Sequence, residues 1–535
     1  MPYPEKSCYP VNPRPIPGAR NGLLVSVLTN YAAKIITLAS GFVMTPFMLH
    51  RLGQDQFGLW VLVASVVAYG GLLDFGISSA VIKYVARYRA ECDDDHGDAK
   101  IRVLIATAVR LSCGLGLLCV LLSMLLAPFF PDWFGVPAES RITAQWLVGL
   151  MGLALGISIP CAIPGAILRG LRRFDLSNVL AVIGLAASTL MTVLVLLAGY
   201  GLLTMVVLNI VITLLMQVPT LLLLRRAAPD LRLSWRGAQR DMVRNILSFS
   251  SSVFIIDVAG RMQGKTDEIV VAGTLPIGAV APYNIARRLS EIAQMLTDQF
   301  MKVLLPMASS LHAEKDTQRL QQLFIVSTRL TLAIFVPVAA VVVVLARALL
   351  TVWVGPAFAD YAPLVLVLTL ASLIETSTWP AGSVMQGMGR HRHMAYMALG
   401  SGVANLIISI ALAKILGVIG VALGTLIPTS IECLCFIMPY ALRTLNVSPR
   451  QFLRECLIPA LVPAAPMLLV LFGIQSEFAL TSLLSIAVAA GLGALVYGLS
   501  YLGMDVNRRE RQICRDLVVN SLPYARLRRL WFVIS

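Results

Sequence analysis

Long apolar stretches recur from one end of this chain to the other, and they restrict its fold more than any other feature. Of its 535 residues, 58% are hydrophobic and only 13% are charged, whereas an ordinary soluble protein is about 25% charged. Because a membrane-spanning helix needs about 20 apolar residues, the sequence predicts roughly fourteen spans. They lie near residues 22–48, 57–82, 103–128, 145–168, 177–198, 202–224, 247–273, 279–305, 323–346, 361–387, 394–414, 418–441, 457–474 and 480–502. The chain is therefore predicted to be an all-α polytopic membrane protein, in which the first, seventh and eighth spans are the least apolar.

Basic residues alternate from one connection to the next, and this predicts how the chain is oriented. One set of alternate connections, together with both ends of the chain, carries most of the lysines and arginines. The opposite set carries only Arg51, Arg141, Arg347 and Lys414. Since cytoplasmic loops are enriched in Lys and Arg, both termini are predicted to be cytoplasmic, in a bacterial inner membrane. The net charge of +15 then reflects topology, and no nucleic acid is expected as a partner.

A weak internal repeat predicts two similar halves. Trp133–Pro137 follows the third apolar stretch, and the similar segment Trp353–Pro356 follows the ninth. The next helix in each half ends in a turn with glycine and arginine, Leu168–Arg173 in one and Met385–Arg390 in the other. Because an even number of spans separates the copies, the halves share one orientation. Transporters with such parallel repeats place their ligand sites at the interface between the repeats.

These observations predict two lobes of six helices each, followed by a further helix pair. The connections on the far side are short, which leaves no room there for an enzyme domain. The predicted segments are a cytoplasmic N-terminal segment 1–21, an N-lobe 22–224, a cytoplasmic linker 225–246, a C-lobe 247–441, a second cytoplasmic linker 442–456, the helix pair 457–502 and a basic cytoplasmic tail 503–535.

Charged residues enter the seventh and eighth spans at helical spacing. The seventh carries Asp257, Arg261, Lys265 and Glu268, and the eighth carries Arg287, Glu291, Asp298 and Lys302. Spacings of three, four and seven place each set on one helix face. A charge at the centre of a spanning helix costs about 2.5–3.5 kcal/mol on insertion scales, so such faces normally border a wet cavity instead of lipid.

Six short motifs occur along the chain, Leu52–Trp60, Leu72–Gly76, Lys83–Ala86, Lys265–Val270, Tyr283–Ala286 and Trp353–Phe358. They resemble those of bacterial polysaccharide flippases, which belong to the multidrug/oligosaccharidyl-lipid/polysaccharide exporter superfamily. The resemblance extends over residues 20–445.

This resemblance implies two six-helix lobes around a central cationic cavity. It also implies that the chain moves lipid-linked oligosaccharides, usually on undecaprenyl diphosphate, from the inner to the outer leaflet. Drug exporters of the same superfamily usually have fewer spans than the number predicted here.

A diphosphate requires fixed cations, and arginine binds phosphate with a planar fork. The candidate substrate-binding residues are Lys34, Arg261, Lys265, Arg287 and Arg288. The alternative is that these cations pair with acids on their own helices. Asp257 and Arg261, Arg287 and Glu291, and Asp298 and Lys302 are each four residues apart, which is the spacing of a helical ion pair.

The acidic residues in the predicted spans are candidates for ion coupling or for charge pairing. They are Asp74, Asp257, Asp267, Glu268, Glu291 and Glu375. No motif for a metalloprotease, a phosphate-binding loop or paired metal-binding cysteines is present. The sequence therefore predicts no catalytic residues, no cofactor and no metal site.

The predicted function is that of a flippase and not of an enzyme. The expected partners are a lipid-linked oligosaccharide, membrane lipids and, for cell-surface polysaccharide synthesis, a polymerase and export proteins. Two alternatives stay open at this point, a cation-coupled multidrug exporter and a membrane glycosyltransferase or polymerase. The first would require a cavity dominated by acids, and the second would require long outer loops or an acidic metal motif.

Overall fold

A computed structural model describes residues 36–37, 39–91, 94–171, 173–229 and 237–504. Throughout these ranges the regular secondary structure is helical. Eleven of the helices are long and apolar enough to cross a membrane. The prediction of an all-α polytopic membrane protein is confirmed, whereas the number of fourteen spans stays a prediction. Residues 22–35 of the predicted first span lie outside the described residues.

The helices follow one another with short connections. In chain order, the α-helices of seven or more residues in the described ranges are α1 (residues 39–52), α2 (Gln54–Gly70), α3 (Ile77–Glu91), α4 (Asp94–Leu126), α5 (Arg141–Gly170), α6 (Phe174–Leu197), α7 (Leu202–Leu215), α8 (Gln217–Ala227), α9 (Arg240–Thr274), α10 (Val280–Ala313), α11 (Thr317–Val344), α12 (Ala346–Trp353), α13 (Ala362–Gly387), α14 (His391–Leu416), α15 (Val418–Ser430), α16 (Met438–Thr444), α17 (Ala464–Glu477) and α18 (Leu483–Gly503). Single helical turns, Phe130–Trp133, Pro449–Phe452 and Ile458–Leu461, lie in the connections. A π-helical segment, Ile431–Ile437, joins α15 to α16.

The predicted second span is interrupted. Between α2 and α3 the chain forms a 3-10 turn, Gly71–Asp74, and Phe75 and Gly76 then have positive φ angles of 46° and 70°. This left-handed backbone cannot continue a helix. The Asp74 carboxylate accepts from the Ser78 backbone N–H at 3.5 Å, so it satisfies one of the unpaired donors in the first turn of α3.

The two charged spans are the longest helices in this part of the chain. Helix α9 contains 35 residues and α10 contains 34, each more than enough to cross a membrane. Neither is among the eleven helices identified by length and hydropathy. Their charged residues lower the mean hydropathy. The length of these two helices therefore favours a membrane span, whereas their polarity does not.

The chain forms two compact units. Unit 1 contains the described residues of Met1–Phe47 together with Gly70–Leu126 and Trp146–Phe254. Its core packs α3, α4 and α5 together through Ile77, Ile101, Leu104, Ile163 and Ile167. Apolar side chains therefore anchor α5, which also forms one wall of the cavity of unit 1 described below.

Unit 2 contains Met48–Tyr69, Ala127–Gln145 and the described part of Ile255–Ser535. Helix α10 packs against α11 and α13, while α15 packs against α13 and α14. The final helices α17 and α18 pack on α11, where Leu332 and Val336 meet Met467, Leu471 and Tyr497. The lobe bounds expected from the repeat stay a prediction.

Candidate functional site

Two adjacent carboxylates on α9 are buried in the interior of unit 2. Asp267 and Glu268 are 2% and 0% exposed. The Tyr283 hydroxyl donates to Asp267 Oδ2 at 2.8 Å, and the Asn284 amide donates to Glu268 Oε1 at 3.3 Å. Because buried charges are stable only when paired and hydrogen-bonded, the first turns of α10 are required to hold these acids.

Arg287 on α10 links the buried acids. Its Nε lies 2.8 Å from Glu291 Oε1, and its Nη1 lies 3.4 Å from Glu268 Oε2 and 3.6 Å from Asp267 Oδ2. The pair with Glu291 is the helical alternative predicted from spacing. The planar fork of arginine can serve several carboxylates at once. Arg287 therefore neutralises negative charge inside unit 2.

Helices α13, α14 and α15 complete the cluster. The Gln294 amide donates to Glu375 Oε2 at 2.9 Å, and the Thr425 hydroxyl donates to Asp267 Oδ2 at 3.0 Å. Thr425 also accepts from the Asn405 amide at 3.0 Å. Five helices thus contribute polar groups to one buried network.

The network encloses a small cavity, here called the acidic cavity. Its volume is about 60 Å³, and its lining includes Asp267, Arg287, Glu291, Glu375 and Thr425. The Asp267 Oδ1 atom is buried and has no hydrogen-bond partner among the described residues. Three carboxylates and one guanidinium line this cavity, so it is suited to a proton or a small cation and not to a phosphate.

The described residues contain no group of three His, Cys, Asp or Glu side chains placed to hold a metal ion.

Two cations of α9, Arg261 and Lys265, precede the buried acids Asp267 and Glu268 on the same helix. The Arg261 guanidinium donates to the Ala68 carbonyl near the end of α2. The Tyr69 hydroxyl donates to the Arg261 carbonyl at 3.1 Å and lies 2.5 Å from the Thr266 hydroxyl. Lys265 Nζ lies 3.8 Å from Glu268 Oε1, and its side chain is 43% exposed. Arg261 and Lys265 are therefore held by neighbours but stay partly accessible.

The structure brings together only part of the predicted set. Asp267, Glu268, Arg287 and Glu291 form one charge network, Lys265 contacts it through Glu268, and Glu375 lies across the acidic cavity. Arg288 is exposed on α10, and Asp74 caps α3 in unit 1. Lys34 lies outside the described residues, as does the side chain of Asp257.

Residue-based reasoning missed Gln294, Asn405 and Thr425. A signal existed for Gln294, because it follows Arg287 and Glu291 at spacings of seven and three on the same helix face. Asn405 and Thr425 lie singly in apolar helices, where a lone amide or hydroxyl often bonds to its own backbone. No spacing distinguishes them from such structural residues.

Comparison with known proteins adds a family and a fold. A family model described as polysaccharide biosynthesis protein matches residues 48–363. The probable flippase AglR of Haloferax volcanii is 22% identical over 493 residues, which cover 90% of this chain and 96% of that protein.

Two solved structures share the fold. The lipid II flippase MurJ in its inward closed conformation has a TM-score of 0.68 at 16% identity, covering 92% of this chain and 100% of that chain. An inward-facing multidrug resistance MATE family transporter of the MOP superfamily also has a TM-score of 0.68, at 13% identity, covering 77% and 94%. At these identities the likeness establishes the fold alone.

Proposed function

Because this chain belongs to the polysaccharide biosynthesis protein family, whose model matches residues 48–363, we propose that it is a flippase for a lipid-linked oligosaccharide. The cargo would be carried on a polyprenyl diphosphate and moved from the cytoplasmic to the outer leaflet by alternating access. A relative that matches over nearly the full chain is itself called a probable flippase. The activity is transport and not an enzymatic reaction.

The observation that carries this proposal is the pair of partly accessible cations on one face of α9. Arg261 and Lys265 are four residues apart and lie on successive turns. A diphosphate carries two adjacent negative groups, which two long side chains on successive turns can approach together, and arginine remains charged in a partly buried setting. We assign these two residues to the diphosphate and, from the sequence alone, Lys34 to the same role.

The acidic cavity is a candidate for energy coupling. Asp267 has a buried oxygen that lacks a partner among the described residues, and Glu375 faces the same space. A proton or a small cation would satisfy that oxygen and offset the excess of carboxylates. Binding there would change the charge that Arg287 balances and would bias one conformation over another. Glu268 and Glu291 would respond through Arg287, and Asp74 and Asp257 stay sequence-based candidates.

The cellular setting follows from the orientation predicted by the basic residues. We place the chain in the bacterial inner membrane with both termini in the cytoplasm. The cargo would enter from the side on which glycans are assembled on lipid carriers. A polysaccharide polymerase and export proteins would act on the translocated product.

Reconstituted vesicles test the proposal directly. We expect Arg261→Gln and Lys265→Gln to slow translocation of a fluorescent polyprenyl-diphosphate oligosaccharide, because each removes a charged donor to phosphate. Loss of one such hydrogen bond corresponds to a decrease of about tenfold or more. Lys414→Gln is the matched control, since it removes one exposed positive charge from the end of α14. Unchanged translocation in both α9 variants would exclude the assigned role of these cations.

A cation-coupled drug exporter is the second candidate, and the acidic cavity favours it. Cationic drugs are exchanged through acidic sites, and a MATE family transporter shares the fold. Drug susceptibility with and without the gene distinguishes the two functions. Greater susceptibility to cationic drugs without any loss of surface glycan would support the exporter.

A further inference from the structure

Unit 1 contains a second and larger cavity, which the transport proposal leaves unused. Its volume is about 330 Å³, and α5, α6, α7 and α8 form its walls. This volume is at the lower end of the range of about 300–1,000 Å³ found for small-molecule sites. We call it the Arg169 cavity, after the charged residue that lines it.

Arg169 is in the last turn of α5, and it is the one charged side chain among the described lining residues. Its Nε atom is buried and has no hydrogen-bond partner in the described part of the chain. Leaving a buried charged donor unpaired is costly. No carboxylate is among the described residues that line the cavity, so an anionic ligand would supply the missing acceptor.

The walls formed by α7 and α8 add a second requirement. The hydroxyls of Thr213 and Thr220 donate to the backbone carbonyls of Asn209 and Met216 at 2.9 and 2.7 Å. Because a hydroxyl has one proton and two lone pairs, these oxygens offer only acceptor positions to the cavity. A ligand that meets both requirements carries an anionic group and hydroxyl donors.

Two glycines keep the space open. A Cβ atom at Gly165 on α5 would meet nothing within 4 Å, and one at Gly184 on α6 would meet only Met216 Cγ at 3.8 Å. Larger residues at either position would fit the backbone but occupy the cavity. The volume therefore depends on these two glycines, and a larger residue at Gly184 fills it while leaving Arg169 in place.

We propose that the Arg169 cavity binds the phosphoglycerol headgroup of an anionic membrane lipid. The phosphate would accept from Arg169, and the glycerol hydroxyls would donate to Thr213 and Thr220. Arg169 belongs to a cluster of basic residues at the predicted cytoplasmic end of its span, which is the depth of the inner-leaflet headgroups. This site is separate from the acidic cavity, and its ligand is not the cargo.

Lipid binding to the full-length purified protein tests the proposal. We expect native mass spectrometry to show tighter binding of phosphatidylglycerol than of phosphatidylcholine. Arg169→Gln removes the charged donor and Gly184→Leu fills the space, so each should weaken phosphatidylglycerol binding about tenfold or more. Arg226→Gln is the control, because it removes an exposed arginine from the last turn of α8 and should leave binding unchanged.

Three results would overturn the proposal. The first is equal binding of both lipids, and the second is full retention of phosphatidylglycerol in both cavity variants. Gly184→Leu leaves Arg169 in place, so a loss of lipid in both variants cannot be assigned to misfolding caused by removal of a buried arginine. The third is tighter binding of soluble glycerol 3-phosphate than of phosphatidylglycerol to the Arg169 cavity. In that case the ligand is a soluble phosphate ester and not a lipid.

Discussion

At the scale of single residues, the buried charges of unit 2 depend on one arginine. Arg287 is 15% exposed and contacts Asp267, Glu268 and Glu291. Desolvation of these groups is costly, and the attraction between them offsets that cost only while the network is complete. Removing one partner therefore costs more than the network contributes as a whole.

We predict that Arg287→Met destabilises the protein by about 3–5 kcal/mol, because it leaves buried carboxylates without compensation. Thermal unfolding of the detergent-purified protein measures the effect. Arg347→Met is the control, since the Arg347 and Asp360 side chains are 71% and 88% exposed and such surface pairs contribute about 0–1 kcal/mol.

A double variant separates lost charge balance from lost packing. Adding Glu268→Gln to Arg287→Met removes one of the uncompensated carboxylates and should recover part of the stability. If the double variant is as unstable as the sum of both single changes, the carboxylates are not the cause.

At the scale of helices, a crossing of α4 and α5 in unit 1 depends on glycine. A Cβ atom at Gly116 would lie 2.3 Å from the Gly156 carbonyl oxygen, and one at Gly156 would lie 2.6 Å from the Gly116 carbonyl oxygen. Small residues at helix interfaces let backbones approach closely in membranes. This contact therefore determines how closely α4 and α5 approach each other.

Two glycines on the same helix should respond to alanine in opposite ways. We predict that Gly156→Ala destabilises the protein by about 1–3 kcal/mol through overpacking. Gly149→Ala should be neutral or stabilising by up to about 1 kcal/mol, because nothing lies within 4 Å of its added Cβ and alanine favours a helix. Comparing the two melting temperatures checks both values. Equal shifts would mean that the helices separate freely at this crossing.

At the scale of the whole molecule, the orientation of the chain determines which side the cargo enters. The predicted far-side connections carry Asp132 with Arg141 and Arg347 with Asp360, each an exposed ion pair. The predicted cytoplasmic connection between α10 and α11 carries the exposed Glu314. These positions report the orientation without disturbing a core.

Cysteine accessibility in spheroplasts checks this orientation. Glu139 is exposed in the same predicted far-side connection as Asp132. In a cysteine-free background, a membrane-impermeant maleimide should label Glu139→Cys and Asp360→Cys while the cells are intact. Glu314→Cys should react only after lysis, because it lies across an even number of predicted spans from the cytoplasmic N-terminus. Labelling of Glu314→Cys in intact cells would contradict both the orientation and the helix count.

The sequence by itself determined the class of the protein and the candidate residues on each helix. Long apolar stretches cannot be buried in a soluble fold of this length, and basic residues disfavour translocation. Regular spacing also identified the Arg287–Glu291 pair, since residues four apart on one helix are neighbours whatever surrounds them.

Only the tertiary structure decided which helices meet and which charges balance each other. Asp267 and Arg287 belong to different helices, and Thr425 reaches Asp267 from 158 residues away. The Arg169 cavity likewise depends on how α5, α6, α7 and α8 assemble around Gly165 and Gly184. Helical periodicity records which side of a helix is polar, but it contains no information about the partner helix. That partner is selected by side-chain packing between segments that are distant in sequence.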